Sequence, residues 1–325
     1  MGVAAGACAG APDAPSGVEK AAINAGELST AEDNAVVQVR VIRPPPLGGD
    51  VCTGTLVAPN VMLTSLECAT LFDSSLSVSC RADGTLQTTT TSGGMNGDPV
   101  TPSDLRVYYG STLGDEPPSA YGAQIFVTGT TEVCVDDLAA VVLDRALPSY
   151  GYGLRLSRDV SVGEEFTAIG WGYSMYDARF KRNVTVTDVG PDDVSDGTSA
   201  APPRSFFVGS GLCWGDRGAP ALSTDTGMVA GIYARPIGGG LCFGPDGPDE
   251  EGVNRFVKLA PYESMLREAF DAAGATLVSD LPSAPRRHKS GCALAPSGAG
   301  GSRAPAAWML AFASVGLLRK RGRSR

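Results

Sequence analysis

The loop Gly215-Asp216-Arg217-Gly218-Ala219-Pro220 places one acidic and one basic side chain between residues that favour tight turns. These charges suit recognition and ion pairing, because the guanidinium of Arg217 stays protonated and cannot attack a carbonyl carbon. Activation of a hydroxyl usually needs a neighbouring base, and the only histidine, His288, lies in a tail rich in Pro, Ser and Gly. The residue types at this loop therefore argue against nucleophilic chemistry.

The elements that would position this loop are β-strands. Runs such as 36–42 and 184–189 are rich in valine and lie between turn-forming residues, which is typical of strands. The chain has 325 residues with 42 glycines and 23 prolines, enough for a large core in an all-β sandwich or barrel. We expect one helix over 261–273, with four apolar side chains on one side: Met265, Leu266, Ala269 and Phe270.

Six segments, taken in chain order, resemble the motifs of the trypsin/chymotrypsin family of serine proteases. The resemblance covers about residues 22–273 and implies two six-stranded antiparallel β-barrels with a cleft between them, followed by a C-terminal helix. The segments are Cys52–Thr64 continuing into Ser65-Leu66-Glu67-Cys68, Asp137-Leu138-Ala139, Gly170-Trp171-Gly172, Gly215–Pro220, Gly231-Ile232-Tyr233-Ala234 and Gly252–Val257.

The same resemblance identifies the positions of a catalytic triad. Glu67 stands in the place of the histidine, Asp137 in that of the aspartate and Arg217 in that of the serine nucleophile. Serine catalysis needs a hydroxyl, an imidazole and a carboxylate, and only the carboxylate remains, so no catalytic set is intact. The amides of Gly215 and Arg217 are left as an oxyanion-hole-like pair, which alone gives only residual rate enhancement.

The two substitutions are charge-complementary. We predict that Glu67 and Arg217 form an ion pair across the cleft, with Asp137 as a third partner. Two interpretations stay open, a preformed charged recognition site or a structural ion pair left in an old active site. Two interpretations also stay open for Asp216. It is either the acceptor of a new N-terminal amine, as in the family, with cleavage here near Ala22, or a carboxylate satisfied by local hydrogen bonds.

The specificity pocket implied by the resemblance consists of Gly211, Tyr233 and Ala234. Its floor, Gly211, lies where a preference for basic side chains would require an acid. The acidic loop 244–251 falls near the pocket rim, and it either binds calcium or a basic partner or is simply solvated.

Eight cysteines are present, six of them in the predicted globular part. No Cys-x-x-Cys pair occurs, so we predict no metal site and no cofactor. Widely spaced cysteines in a Gly-rich β chain suggest disulfides and an oxidising compartment, although spacing alone does not select the pairs. The family resemblance implies Cys52–Cys68 and Cys213–Cys242, which leaves Cys80 and Cys134 to pair with each other.

Charge is distributed unevenly along the chain. The net charge is −9, but no acid lies beyond residue 285, where nine of the 26 Lys and Arg are found. Residues 1–285 therefore combine 17 cations with 35 acids, a net charge of −18. A body this acidic should repel phosphate backbones, so we exclude nucleic acid and expect a protein or peptide partner.

The chain divides into four predicted parts. Residues 1–20 are a signal remnant or a disordered tail, 21–277 the protease-like domain, 278–303 a linker and 304–325 an apolar segment with a basic end. The last part, with Cys292 as the anchoring residue, resembles the tripartite sorting signal of myxobacterial surface proteins. A short membrane anchor or a buried terminal helix is the alternative, and membrane contact through 304–325 is expected before or instead of processing.

Three functions are compatible with these features. The first is a secreted or surface-anchored protease homologue of a bacterium, without nucleophile or base, that binds or regulates a protein or peptide. The second is a serine-type endopeptidase with weak or unorthodox activity, and the third a passive surface structural protein. Fold-level likeness alone would favour a peptidase, but the triad positions favour the first.

Overall fold

The computed structural model describes residues 23, 26–72, 78–88, 95–128, 133–172, 178–191, 200–237 and 253–281. The predicted tail 1–20, the acidic loop 244–251, Cys242, Cys292 and the segment 304–325 lie outside these residues. No helix within the described ranges is both long enough and apolar enough to span a bilayer.

Strands dominate the described residues, as the sequence predicts. Two α-helices are present, α1 (Leu66–Ala69) and α2 (Glu263–Ala272), with short 3-10 turns at Ala31–Asp33, Pro102–Asp104 and Ala260–Tyr262. The strands are β1 (Glu27–Leu28), β2 (Val36–Val41), β3 (Asp50–Ala58), β4 (Val61–Thr64), β5 (Thr70–Phe72), β6 (Val78–Cys80), β7 (Leu86–Thr88), β8 (Met95–Pro99), β9 (Leu105–Tyr108), β10 (Ala120–Val127), β11 (Ala139–Leu143), β12 (Glu165–Gly170), β13 (Phe180–Val189), β14 (Ser205–Gly209), β15 (Pro220–Ser223), β16 (Val229–Ile237) and β17 (Val253–Lys258).

The first barrel closes in the order β10-β11-β4-β3-β2-β9, with every pair antiparallel. Alternate residues of β2 point inward, because successive strand side chains lie on opposite faces. Gly54 gives Met62 the space to cross the interior, since a Cβ there would lie 2.2 Å from the methionine sulfur. The buried core of this barrel includes Val37, Val39, Val41, Cys52, Leu56, Met62, Val107 and Val141.

The second barrel closes in the order β13-β12-β15-β16-β17-β14, because β14 also pairs with β13. Its interior is aromatic: the rings of Phe206 and Phe256 stack with centroids 5.3 Å apart, and Phe166 and Tyr233 pack against them. Strand β1 adds to the outside of β13. The prediction of two six-stranded antiparallel β-barrels is confirmed.

The C-terminal helix α2 packs on strands β10 and β11 of the first barrel. Its buried side chains are the four that the sequence predicts, Met265, Leu266, Ala269 and Phe270. Residues after α2 also contact the fold, since the amide of Leu154 donates to the carbonyl of Val278 at 2.9 Å. The carboxylate of Asp280 likewise accepts from the amides of Leu156 and Ser157.

Arg179, immediately before β13, fastens the N-terminal segment onto both barrels. Its side chain has no exposure to solvent, and it donates to the hydroxyl of Ser29 at 2.9 Å and the amide oxygen of Asn34 at 3.1 Å. It also donates to the carbonyls of Val36 at 2.6 Å and Gly110 at 3.0 Å. Burial lowers the pKa of Arg179 to about 10, so the guanidinium remains charged at neutral pH.

Replacing Arg179 with methionine should lower the free energy of unfolding by at least about 3 kcal/mol, because several buried acceptors would lose their donor together. Urea denaturation measures this change. Arg267→Met, at a side chain that is 48% exposed on α2, is the matched control and should change stability by less than about 0.5 kcal/mol. Equal effects of the two substitutions would contradict a fastening role for Arg179.

Candidate functional site at the cleft between the barrels

Three separate elements bring the predicted triad positions together. Glu67 lies in α1, the short helix after β4; Asp137 lies just before β11; Arg217 lies in the loop before β15. The carboxylate of Asp137 accepts the amide of Leu66 at 2.9 Å and thereby satisfies one of the free donors at the start of α1. The position of Glu67 therefore depends directly on Asp137.

The predicted ion pair between Glu67 and Arg217 is present. The Nη1 atom of Arg217 lies 2.9 Å from Oε2 of Glu67, and each residue is 3% exposed. The second terminal nitrogen of Arg217 binds the carboxylate of Asp50 at the start of β3. One guanidinium thus joins the second barrel to two carboxylates of the first.

Asp137 joins the Glu67–Arg217 pair mainly through two other arginines, although the charge of Arg217 also lowers its pKa. Its Oδ2 atom lies 2.8 Å from Nη2 of Arg255 on β17, and 3.8 Å from Nε of Arg235 on β16. Its other oxygen faces the amide of Leu66, and Arg217 is already occupied by Asp50 and Glu67. Asp137 joins Glu67 through Arg235, which contacts both carboxylates.

Four residues of the site were not predicted: Asp50, Arg43, Arg235 and Arg255. Arg43 donates to the carbonyls of Glu67 at 2.7 Å and Thr70 at 3.0 Å, and lies 3.7 Å from Asp50. Arg235 and Arg255 are direct Cα partners across the β16–β17 pair. The sequence carries a signal for Arg235, because a charged residue buried in the otherwise apolar strand β16 would require a counterion.

These four residues, together with Glu67, Asp137 and Arg217, form what we call the charge cluster. Among the described residues it combines four arginines with three carboxylates, and Asp50 is its most exposed member. The side-chain exposures are Arg43 0%, Asp50 17%, Glu67 3%, Asp137 0%, Arg217 4%, Arg235 6% and Arg255 0%.

Burial shifts the ionisation of the cluster. Desolvation raises the pKa of Asp137 to about 6, opposed chiefly by the nearby charge of Arg255 and the hydrogen bond from Leu66. Desolvation lowers the pKa of Arg235 well below its usual value, and the neighbouring Arg255 lowers it further. The pKa of Arg255 is also lowered by burial, but Asp137 opposes that shift. Pairing between Asp137 and Arg255 therefore opposes the effect of burial on both of these groups, whereas burial and the charge of Arg255 both disfavour the charged form of Arg235.

The loop 215–220 has the tight geometry that its glycines predict. Gly218 has φ +97°, and a Cβ there would lie 1.8 Å from the carbonyl oxygen of Thr53, so no other residue fits without rearrangement. The buried carboxylate of Asp216 accepts the amides of Gly172 and Cys213, each at 2.8 Å. The local interpretation of Asp216 is therefore the one that these hydrogen bonds support.

The predicted pocket residues lie at buried backbone positions. Gly211 has φ +136°, and Tyr233 and Ala234 have no exposure to solvent. The Tyr233 hydroxyl accepts from the side-chain amide of Asn254 at 3.1 Å, and its ring packs on Phe256 in the barrel interior. A pocket role for Gly211, Tyr233 and Ala234, and an oxyanion-hole role for the amides of the loop, stay predictions.

Two disulfides form among the described residues, Cys52–Cys68 and Cys80–Cys134, as predicted. Cys213 is buried, and its predicted pairing with Cys242 stays a prediction because Cys242 lies outside the described residues. The described ranges contain no cluster of three or more His, Cys, Asp or Glu able to hold a metal ion.

The outer face of the cluster carries an aromatic ring. Trp214 is 43% exposed, and the guanidinium carbon of Arg217 lies 5.0 Å from its ring centroid, within cation–π range. The cluster below this ring offers neither a hydroxyl at the nucleophile position nor an imidazole at the base position. Serine acyl transfer through a triad uses a hydroxyl and an imidazole at these two positions, which here hold Arg217 and Glu67.

Solved structures with the same fold include inactivated proteases. The scabies mite inactivated protease paralogue S-I1 is 18% identical with a TM-score of 0.52, over 76% of this chain and 99% of that one. The fold is that of trypsin-like serine proteases. The scabies mite paralogue S-D1 (15% identity, TM-score 0.53, 76% and 97% of the two chains) and the human heparin binding protein (16%, 0.51, 77% and 98%) are similar. No protein-family model and no curated protein sequence matches the chain.

Arg255→Met should destabilise the protein more at pH 8 than at pH 5. Asp137 has a pKa of about 6 in the fold against 3.8 for the ordinary group, so its contribution to stability is present at low pH and is lost as pH rises through 6. Removing Arg255 should raise this pKa further, so that the free energy of unfolding continues to fall at higher pH. The additional fall is about 1.4 kcal/mol for each unit by which the pKa of Asp137 rises. Urea denaturation at both pH values measures the difference.

The matched control for this experiment is Arg145→Met, because Arg145 is 60% exposed and pairs with a surface carboxylate, Asp144. Its effect on the free energy of unfolding should be the same at pH 5 and pH 8. A penalty for Arg255→Met that does not depend on pH would show that Arg255 acts through its hydrogen bonds to backbone carbonyls and not through Asp137.

Proposed function

We propose that this protein is an exported, non-catalytic homologue of trypsin-like serine proteases that binds a protein or peptide. The observation that carries the proposal is the buried charge cluster at the triad positions, in which Arg217 and Glu67 pair at 2.9 Å where a nucleophile and base would stand. Each partner neutralises a charge that would be unfavourable if it were buried alone.

Arg235 adds a second reason to expect no proteolysis. It directly follows Tyr233 and Ala234 on β16, the strand that resembles the substrate-binding strand, and it is 5% exposed. Its guanidinium reaches across to Glu67 and Asp137, so it occupies the approach to both carboxylates. A substrate backbone would have to displace a buried, paired arginine.

Binding is therefore expected on the surface beside the cluster. Trp214 lies over Arg217, and Arg217 in turn binds Asp50, where the loop of the β2–β3 hairpin enters β3. That hairpin presents Ile42 and the prolines 44–46 to solvent. We call Trp214, Ile42 and Pro44–Pro46 the apolar rim. Aromatic anchors of this kind dominate the energetics of many protein interfaces.

Export is supported by the two disulfides, which persist in oxidising compartments. Attachment to a bacterial surface through Cys292 or residues 304–325 forms part of the same proposal, carried by the sequence resemblance alone. An intact mass of the mature protein would identify both chain ends and any lipid on Cys292.

The wild-type protein should not react with a fluorophosphonate probe, and its turnover of a broad peptide library should lie about 10⁶-fold below that of an enzyme with an intact triad. The reverting variant Glu67→His/Arg217→Ser should also stay inactive, because Arg235 remains between positions 67 and 137. Probe labelling followed by peptide mapping and library cleavage read out both. Turnover that survives Arg217→Ala in homogeneous protein would instead support an unorthodox endopeptidase.

A partner isolated by cross-linking to the full chain should lose at least about tenfold in affinity when Trp214 is replaced by alanine, as expected for an aromatic anchor. Tyr150→Ala is the matched control, since Tyr150 is 97% exposed and its loop lies over Ala58, at the opposite end of β3 from Asp50. Equal affinity for the wild type and Trp214→Ala would exclude the apolar rim, and no saturable partner at all would favour a passive structural protein.

A further inference from the structure

The Cys80–Cys134 disulfide adjoins the charge cluster through Arg255. This arginine donates to the carbonyl of Cys134 at 3.0 Å and that of Val133 at 2.6 Å, while its Nη2 atom also lies 2.8 Å from the Asp137 carboxylate. One guanidinium therefore holds both the backbone at the disulfide and the carboxylate that supports α1.

The disulfide also fixes a separate hairpin, β6–β7, onto the segment 133–137. The turn of this hairpin rests on the same segment, because a Cβ at Gly84 would lie 2.8 Å from the side chain of Val135. Cys80 and Cys134 pack with Val133 and with Leu66 of α1 in one apolar cluster. The bridge thus covers the residue whose amide donates to Asp137.

The two disulfides differ in the exposure of their cysteine residues to solvent. Cys80 keeps 8% of its surface exposed and Cys134 keeps 1%, whereas Cys52 and Cys68 have none. Thiol–disulfide exchange requires a thiolate to reach a sulfur atom directly. Reduction under native conditions should therefore begin at Cys80.

We propose that the Cys80–Cys134 disulfide is a thiol-sensitive latch on the charge cluster, whose opening releases hairpin β6–β7 and loosens the contact between Asp137 and α1. The reductant is a dithiol, either small or on a thiol–disulfide oxidoreductase. One of its thiolates attacks the sulfur of Cys80 and expels the Cys134 thiolate, and its second thiolate then expels the Cys80 thiolate. The dithiol leaves as a disulfide, and two electrons and two protons end on the cysteines.

Opening the latch removes the covalent constraint on residues 133–137, so that only non-covalent contacts still hold hairpin β6–β7 and this segment together. The hydrogen bond from the Leu66 amide to Asp137 should then open more often, while the Cys52–Cys68 bridge still holds α1 to β3. Hydrogen exchange at Leu66 is the direct measure of that opening.

The experiment treats the full chain with increasing dithiothreitol at neutral pH, traps free thiols with iodoacetamide, and maps them by mass spectrometry. Cys80 and Cys134 should be labelled before Cys52 and Cys68, with far-UV circular dichroism unchanged. Amide exchange at Leu66 should become about tenfold faster in this partly reduced protein. The variant Cys80→Ser/Cys134→Ser should show the same fast exchange without reductant and no further response to it.

Two results would overturn the latch. The first is labelling of all four cysteines together, only as circular dichroism is lost, which would make both bridges purely structural. The second is unchanged exchange at Leu66 in protein whose Cys80 and Cys134 are already alkylated. The partly reduced wild type decides the question even if the serine variant does not fold.

Discussion

Asp137 carries its carboxylate where solvent does not reach, and Arg255 supplies the charge that allows it to ionise there. The same carboxylate accepts the first amide of α1, so the position of Glu67 follows from it. Glu67 then holds Arg217, and Arg217 holds the start of β3 through Asp50. The ion pairs that join the barrels at the cleft are therefore linked in one chain to a single ionised, fully buried side chain.

Such a cluster is weak evidence of high stability, because desolvation of each charge offsets much of the attraction between them. The cluster has a stronger effect on which packing of the cleft residues is favoured. Removing any single member leaves an unpaired buried charge, so alternative packings of the cleft are strongly disfavoured. The substitutions at positions 67 and 217 are consistent with this, because glutamate alone or arginine alone in the site would be far less favourable than both together.

The sequence predicted the barrels, the buried face of α2 and the Glu67–Arg217 pair, since each rests on a local pattern or on two aligned positions. It did not predict Asp50 or Arg43, which lie on either side of the loop between β2 and β3, just before the first motif begins at Cys52. Arg235 was missed for a different reason. The register of β16 shifts between Tyr233 and Arg235, so simple alternation along the strand does not show which face its side chain occupies. Arg255 lies within the Gly252–Val257 motif, but nothing in that motif indicates that its side chain reaches Asp137.

Burial of the cluster also changes the charge that a partner meets. Among the described residues seven cations are buried, Arg43, Arg155, Arg179, Arg217, Arg235, Arg255 and Lys258, against four acids, Glu67, Asp136, Asp137 and Asp216. The exposed surface is therefore more acidic than composition alone indicates, by three charges over the described residues. Long-range attraction should then favour cationic partners and disfavour phosphate-bearing ones, whereas the apolar rim above Arg217 would act only after contact. Some of the buried cations form the ion pairs that join the barrels, and because these cations are buried, the exposed surface is more negative.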